Sequence, residues 1–301
     1  MSIEQLNTQY GLADQLKFFE GKGGFPFIEI CNKSAKALIS VYSGQVLSFQ
    51  PASEPEDLLF LSRQAYYQDG KAIKGGIPIC WPWFGPDPEG LGRSSHGFVR
   101  NRLWTVVSTE AIADAETKVI LGLSDTAETQ SIWPQSFELA IEVTVGNTLT
   151  VELVTRNRGD RAFSISQALH TYFKVGDIRQ VRVLGLEDGQ YLDKVDGGTR
   201  KTQQGSIAID REVDRIYMDV KGELTIDDAA LNRQIQIAAS GSKTAIVWNP
   251  WAEICAGMAD LEDDDYRSFV CVETANAANE IVEIPARGEY RLRATYAVRQ
   301  R

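Results

Sequence analysis

Two histidines and one glutamate are the residues whose types and positions could support acid–base chemistry. His96 and His170 are the only imidazoles in 301 residues, so any histidine chemistry must use one of them. Glu273 directly follows the apolar run 269–272, where burial would raise the pKa of its carboxyl toward a range useful to a general base. Each residue also has a structural interpretation, because an isolated strand histidine is often a satisfied core residue and Glu273 could simply mark the exposed end of a strand.

The sequence around His170 favours a cleft over a packed core. In a strand, residues alternate between faces, so Ser164, Ser166, Ala168 and His170 should share one face while larger residues occupy the other. A face of small and polar side chains leaves room for a ligand beside the imidazole.

A second chemical signal is positive charge concentrated in an acidic chain. The formal net charge is -10, yet the segment 63–102 carries six basic and three acidic residues. Within it, Lys74 precedes Gly75 and Gly76, whose bare backbone can approach an anion such as phosphate closely. Aromatic rings that could stack on a sugar lie near it in sequence, at Trp81, Trp83, Phe84 and Trp104. The segment predicts a site for a phosphorylated sugar, with a solvated loop of scattered cations as the alternative.

Other kinds of site lack their sequence signals. Two distant histidines and four unpaired cysteines give no zinc motif, although a cation site built only from oxygens stays open. We find no G-x-S-x-G nucleophile turn and no nucleotide-binding glycine loop. The cysteines, Cys31, Cys80, Cys255 and Cys271, lie far apart and are expected to be buried free thiols.

The elements that must position these residues are mostly strands. Period-two alternation, broken by turn dipeptides such as Gly146-Asn147, recurs through the chain, in 27–30, 118–121, 137–145, 148–154, 234–237 and 289–297. Helical periodicity is confined to short segments, at 3–12, 128–133 and 227–231. The pattern predicts an all-β fold of large antiparallel sheets with few short helices.

Composition predicts a single domain over residues 1–301. No linker rich in Pro, Gly or Ser and no fixed-period repeat divides the chain. The stretch 70–95 is dense in Gly and Pro, and long ordered loops of this kind are usually functional.

Charge and hydropathy narrow the expected partners. A sequence pI near 4.9 disfavours broad binding to nucleic acid or to an anionic membrane surface. No apolar stretch approaches the roughly 18 to 20 residues that cross a bilayer, and the first residues are polar and acidic. We therefore expect a cytoplasmic protein, a monomer, that binds a small molecule and neither nucleic acid nor membrane.

Taken together, the longer motifs resemble one known family. The chain is similar over nearly its full length to the hexose-6-phosphate mutarotases (glucose-6-phosphate 1-epimerases), a branch of the aldose 1-epimerase family. The similarity is carried by KGGIPICWPWFGP at 74–86, HGFVRN at 96–101, LHTYF at 169–173, VDRIY at 213–217, WNPW at 248–251 and VETAN at 272–276. The resemblance implies a galactose-mutarotase-like β-supersandwich and an isomerase that interconverts the α and β anomers of hexose 6-phosphates without a cofactor.

The resemblance also implies roles for individual residues. The histidine of LHTYF is the family's general acid and the glutamate of VETAN its general base, which are His170 and Glu273 here. Sugar hydroxyls are held by the aspartate of VDRIY, Asp214, and by the first histidine, His96. With one acid and one base expected on opposite sides of the sugar, the proton of the C1 hydroxyl is removed while the ring oxygen is protonated, and their mutual attraction should keep both groups ionised.

The phosphate contacts carry the main departures from the family pattern. The resemblance places them at Lys74 and Arg100, with Ser95 as a further substrate-binding position. Some relatives carry Arg where this chain has Lys74 and Gln where it has Ser95. Because lysine lacks the bidentate fork of arginine, Lys74 would meet a phosphate as a point charge. An aldose 1-epimerase for unphosphorylated sugars, a non-catalytic carbohydrate-binding protein and a glycosidase or lyase on a related fold stay open as alternatives.

Overall fold

Alternating apolar and polar residues form antiparallel strands through almost the whole chain. The structure is a computed structural model that describes the backbone of residues 1–301 and every side chain except that of Ala113. Its helices are α1 (Ile3–Tyr10), α2 (Ala127–Ile132) and α3 (Trp251–Ala256). Its strands, in chain order, are β1 (Leu16–Glu20), β2 (Pro26–Cys31), β3 (Ala35–Ser40), β4 (Gln45–Pro51), β5 (Ile79–Cys80), β6 (Thr105–Ala113), β7 (Glu116–Ser124), β8 (Phe137–Val145), β9 (Leu149–Asn157), β10 (Phe163–Ile165), β11 (Gln167–Leu169), β12 (Tyr172–Lys174), β13 (Val181–Leu184), β14 (Gln190–Asp193), β15 (Thr199–Thr202), β16 (Ile207–Ala208), β17 (Val213–Tyr217), β18 (Leu224–Asp228), β19 (Arg233–Ser240), β20 (Thr244–Asn249), β21 (Phe269–Asn276), β22 (Val282–Ile284) and β23 (Glu289–Gln300).

These strands form two large sheets and two small ones. The nine-stranded sheet has the order β16-β13-β18-β19-β23-β9-β8-β7-β6. The eight-stranded sheet has the order β15-β14-β17-β20-β21-β11-β5, with β12 also paired to β21. The first four strands form a meander, and β10 pairs with β22. The predicted all-β class is confirmed. None of the helices described in the structure is long and apolar enough to cross a bilayer.

The main core lies between the two large sheets. Ile141 and Leu153 of the nine-stranded sheet belong to the same buried cluster as Val247 and Val272 of the eight-stranded sheet. Alternation then turns the neighbours of Val247 and Val272, such as Trp248 and Cys271, to the other face of the eight-stranded sheet. That outer face is where a site can form without disturbing the core.

One register sets the geometry of the outer face. In the pairing of β11 with β21, Leu169 lies opposite Thr274, and the register continues unchanged into β12, where Tyr172 lies opposite Cys271. His170 is therefore directly across from Glu273. The buried amide of Gln167 donates a 2.9 Å hydrogen bond to Asn276 Oδ1 near the end of the same pairing, which fixes this register.

The predicted strands and two of the three predicted helical segments occur in the structure. The hairpin at Gly146-Asn147 joins β8 to β9 as expected, with Val145 paired to Leu149. The predicted helix at 227–231 is wrong: residues 227 and 228 end β18, and the Asp228 carboxylate accepts from Leu231 N in a turn. Sequence periodicity also missed α3, which has only six residues.

The cysteine prediction is correct for three residues and wrong for the fourth. Cys80, Cys255 and Cys271 are buried free thiols, whereas Cys31 is exposed. Cys31 ends β2, where the alternation Ile30-Cys31 turns its side chain outward.

Gly97 allows a test of the contact that closes the loop 82–96. The loop ends in a parallel bridge between Trp81 and Gly97, whose φ is +74°, and a Cβ at Gly97 would overlap the Trp81 carbonyl. We expect Gly97→Ala to lower the free energy of unfolding by about 3 kcal/mol or more, measured by urea denaturation. Gly90→Ala is the matched control, because Gly90 also has positive φ (+67°) but open space around it, and it should cost about 1 kcal/mol. Equal losses in the two variants would contradict this account of the loop.

Candidate active site

A cavity of about 220 Å³ opens on the outer face of the eight-stranded sheet. Its size suits a monosaccharide, since drug-sized ligands occupy roughly 300 to 1,000 Å³. Its lining is rich in titratable side chains and comprises Lys74, Phe84, His96, Arg100, His170, Tyr172, Asp214, Ile246, Trp248, Met258 and Glu273. A hollow of about 480 Å³ beside α1 is larger, so it is this chemistry and not size that marks the candidate site.

Six of the seven site residues predicted from the sequence line this cavity. They come from distant parts of the chain: the loop before β5, the turn around Val99–Asn101, β17, β21 and the break between β11 and β12. Ser95 does not line the cavity. It is exposed, and its backbone carbonyl accepts a 3.0 Å hydrogen bond from Arg100 Nη2. Ser95 thus positions Arg100 through its backbone.

His170 and Glu273 lie side by side on one wall of the cavity. His170 Nε2 is 3.4 Å from Glu273 Oε1, and the exposed fractions of the two side chains are 10% and 1%. The two side chains are therefore adjacent, whereas they were expected on opposite sides of the sugar. The physical reason is the cross-strand register, because directly paired residues project in the same direction from the sheet.

Both groups retain unused hydrogen-bonding capacity. Within the described part of the chain, His170 Nδ1 and Glu273 Oε2 are buried without a hydrogen-bond partner. An unsatisfied buried polar atom costs about 1 to 3 kcal/mol, and this cost is offset when a ligand supplies the partner. The pair is thus prepared to exchange hydrogen bonds, and protons, with a bound molecule.

Burial shifts the pKa values of the pair in opposite directions. It raises the pKa of Glu273 well above 4.5, assisted by nearby Asp214. It lowers the pKa of His170 well below 6.5, assisted by His96, Arg100 and Lys74. Both shifts disfavour the ionised forms, whereas mutual attraction was expected to keep the carboxylate and the imidazolium ionised; burial is the largest influence on each group.

His96 is fixed as a neutral hydrogen-bond donor. Gly85 N donates to its Nδ1 at 3.3 Å, and its own backbone N donates to Gly85 O at 2.7 Å. With Nδ1 accepting, the ring proton resides on Nε2. Burial and the charge of Arg100 lower the pKa of His96 to about 3, so the imidazole stays neutral.

The loop that carries His96 is held in place by the contacts of Arg93. Arg93 pairs with Asp87, donates to the carbonyl of Ile132 and lies 4.4 Å over the ring of Trp83. His96 itself has φ +65°, a conformation that costs energy outside glycine. These contacts hold that strained residue at the cavity edge.

Only two of the six cations in the segment 63–102 line the cavity, namely Lys74 and Arg100. Lys74 Nζ is 3.2 Å from Asp260 Oδ2. Among the described side chains, Arg100 has no carboxylate within ion-pairing distance. Arg93 and Arg102 are engaged elsewhere, by Asp87 and Glu128.

The aromatic lining differs from the sequence-based expectation. Trp81, Trp83 and Trp104 are core residues with at most 3% exposure, and of the four rings proposed only Phe84 lines the cavity. The rings that were missed are Tyr172, which stacks on His170 with centroids 4.9 Å apart, and Trp248, which meets His170 edge to face. The sequence contained a signal for Tyr172, which follows His170 by two residues and therefore lies on the same face of the strand.

Asp214 lies in β17, two strands from β21. Burial raises the pKa of its carboxyl to about 6, so the side chain can accept or donate a hydrogen bond close to neutral pH. In the described residues, no group of three or more His, Cys, Asp or Glu side chains is arranged to hold a metal ion.

Comparison with known proteins places the chain in a family. The aldose 1-epimerase family model matches residues 26–296. An Escherichia coli (strain K12) protein named "Putative glucose-6-phosphate 1-epimerase" is 37% identical over 252 residues, covering 83% of each chain. A protein of the same name from Cenchrus ciliaris is 37% identical over 258 residues, covering 83% of this chain and 77% of its own.

Solved structures agree with these sequence matches. A crystal structure from Salmonella typhimurium, described as a "putative mutarotase", superposes with a TM-score of 0.90 at 31% identity and covers 99% of both chains. A galactose mutarotase-like protein from Clostridium acetobutylicum has a TM-score of 0.75 at 14% identity over 95% of this chain and 98% of its own, which supports the fold alone. Together with the family match over residues 26–296, these findings establish that the chain belongs to the aldose 1-epimerase family.

Proposed function

We propose that the chain interconverts the α and β anomers of hexose 6-phosphates, with glucose 6-phosphate as its main substrate. The observation that carries the proposal is the His170–Glu273 pair, buried with free hydrogen-bonding atoms in a cavity that also contains two cations. The names of the relatives that match most of the chain support the same substrate.

The reaction needs one base and one acid close together. Glu273 removes the proton from the C1 hydroxyl while His170 protonates the ring oxygen, so the bond between C1 and O5 breaks and an aldehyde forms. Rotation about C1–C2 presents the other face, and the reverse transfers close the ring as the other anomer. Because the hydroxyl and ring oxygens are both bonded to C1, two groups on one wall can serve them. Acid and base catalysis of this kind contributes about 10² to 10⁴ each.

The other lining residues position the sugar. His96 donates from Nε2 to a sugar oxygen, and Asp214 binds a hydroxyl. Lys74 and Arg100 bind the phosphate, which carries about -1.5 to -2 charges at neutral pH. Because both cations lower the pKa of His170, a bound phosphate that offsets their charge favours the proton on the imidazole, where the acid step needs it.

Replacing either member of the pair should slow the reaction with the fold intact. We expect His170→Asn and Glu273→Gln each to reduce anomer exchange of glucose 6-phosphate at least tenfold, measured by two-dimensional NMR exchange spectroscopy. Glu283→Gln is the control, because Glu283 is an exposed carboxylate of β22. Wild-type rates in either variant of the pair would remove that residue from the mechanism.

The Glu273 carboxyl should lower the free energy of unfolding of the wild type in a pH-dependent way. The pKa of Glu273 is raised in the folded state, so that state binds more protons than the unfolded chain above pH 4.5, and the wild type loses stability as the pH rises from there to the folded pKa. Glu273→Gln removes this loss. Its Tm, measured by calorimetry, should exceed that of the wild type by an amount that grows from pH 4.5 to 7, whereas Glu283→Gln should show no such trend. A Tm difference that is constant with pH would contradict the burial argument.

Phosphate recognition is tested by removing the lysine. Lys74→Ala loses a charge-assisted contact, so the KM for glucose 6-phosphate should rise about tenfold relative to the KM for glucose. Lys71→Ala, which removes an exposed lysine three residues earlier, is the matched control. If Lys74→Ala changed both KM values equally, Lys74 would have no role in binding phosphate.

A further inference from the structure

Lys74 is paired with a carboxylate from outside the cavity lining. Its Nζ lies 3.2 Å from Asp260 Oδ2, and the exposed fractions of the two side chains are 18% and 22%. Partial burial shields the pair from salt and water, so it is stronger than an exposed surface ion pair. The ammonium that faces the cavity is thus already neutralised by the protein itself.

The second cation of the cavity is in a different state. Arg100 donates one hydrogen bond to the carbonyl of Ser95, and among the described residues no carboxylate lies within ion-pairing distance of it. An entering anion therefore meets one cation whose charge is available and one whose charge is engaged by Asp260.

The position of Asp260 is imposed by the backbone. The segment 257–264 follows α3, which begins at Trp251 with φ +58°, a rare conformation for a tryptophan. The buried Asn249 holds this turn: its Oδ1 accepts from Trp251 N, and its Nδ2 donates to Tyr266 O and Phe269 O. The segment is thus fixed at both ends.

The same segment contributes to the cavity wall. Met258, two residues before Asp260, lines the cavity. A change in the pairing of Asp260 therefore occurs next to a residue of the cavity wall.

We propose that Asp260 determines substrate specificity by acting through Lys74, as a counterion that a phosphorylated sugar must replace. This inference rests on the proposed function of the site. A dianionic phosphate competes well with a single carboxylate for the ammonium, because it brings more charge and three acceptor oxygens. An anion of one charge gains little from the exchange, and an uncharged sugar gains nothing. Asp260 thereby weakens the binding of all anions, and the binding of singly charged anions most.

A purely orienting role for Asp260 predicts the opposite sign. If Asp260 served to aim Lys74 at the phosphate, its removal would weaken phosphate binding, whereas removal of a competing counterion strengthens it. The direction of the change therefore decides between the two roles.

The variant Asp260→Asn tests the proposal. It keeps the shape of the side chain and removes the charge, so we expect the KM for glucose 6-phosphate to fall three- to tenfold relative to the KM for glucose, in NMR exchange assays. Inorganic phosphate, as an inhibitor of glucose anomerisation, should show an inhibition constant lowered by the same factor. The matched control is Asp263→Asn, an exposed carboxylate in the same segment, which should change both quantities less than twofold.

Two results would overturn the proposal. One is a rise or no change in the phosphate inhibition constant of Asp260→Asn. The other is an unaltered effect of Asp260→Asn in the Lys74→Ala background, since an effect exerted through Lys74 must disappear there. If the wild type failed to accelerate anomerisation of glucose 6-phosphate, the proposed substrate would be wrong, yet phosphate inhibition of glucose conversion would still test Asp260. If Asp260→Asn lowered the Tm, the same measurements on Asp260→Ser would decide the matter.

Discussion

The cross-strand register that places His170 opposite Glu273 is the constraint on which the rest of the site depends. The register is fixed by the pairing of β11 and β12 with β21 and by the buried hydrogen bond from Gln167 to Asn276. It buries two titratable side chains together in a low-dielectric environment, where burying either one alone would cost more free energy. The core between the large sheets supplies the stability that offsets this cost, while the outer face of the eight-stranded sheet supplies the room.

Electrostatics around the pair follow from its burial. The chain has a net charge of -10, yet the cavity is lined by Lys74 and Arg100, and these cations act on the nearby imidazoles by lowering their pKa values. His96 is kept neutral, and because its Nδ1 accepts from Gly85 N, its Nε2–H is the group left to donate to a ligand. In the proposed function, the pair transfers protons and His96 orients the sugar.

Much of the fold was predictable from the sequence, because period-two alternation is a local signal. The strand β8 agrees with its predicted range residue for residue. The pairing of strands is not local: more than a hundred residues separate His170 from Glu273, and no periodicity states which strands become neighbours. For the same reason the sequence indicated His170 and Glu273 as candidates but not that they lie side by side on one wall of the cavity. Trp81 and Trp104 were wrongly expected to stack on a sugar, because the burial of an aromatic ring depends on which layer of the fold covers it. Asp260 could not be distinguished from the solvated acidic residues that follow it.

The closeness of His170 and Glu273 has one more consequence for the proposed reaction. In the proposed reaction, ring opening adds a proton to Glu273 and removes one from His170, and ring closure reverses both transfers, so the site ends each cycle with the protons with which it began. No exchange with bulk water or buffer is required between turnovers.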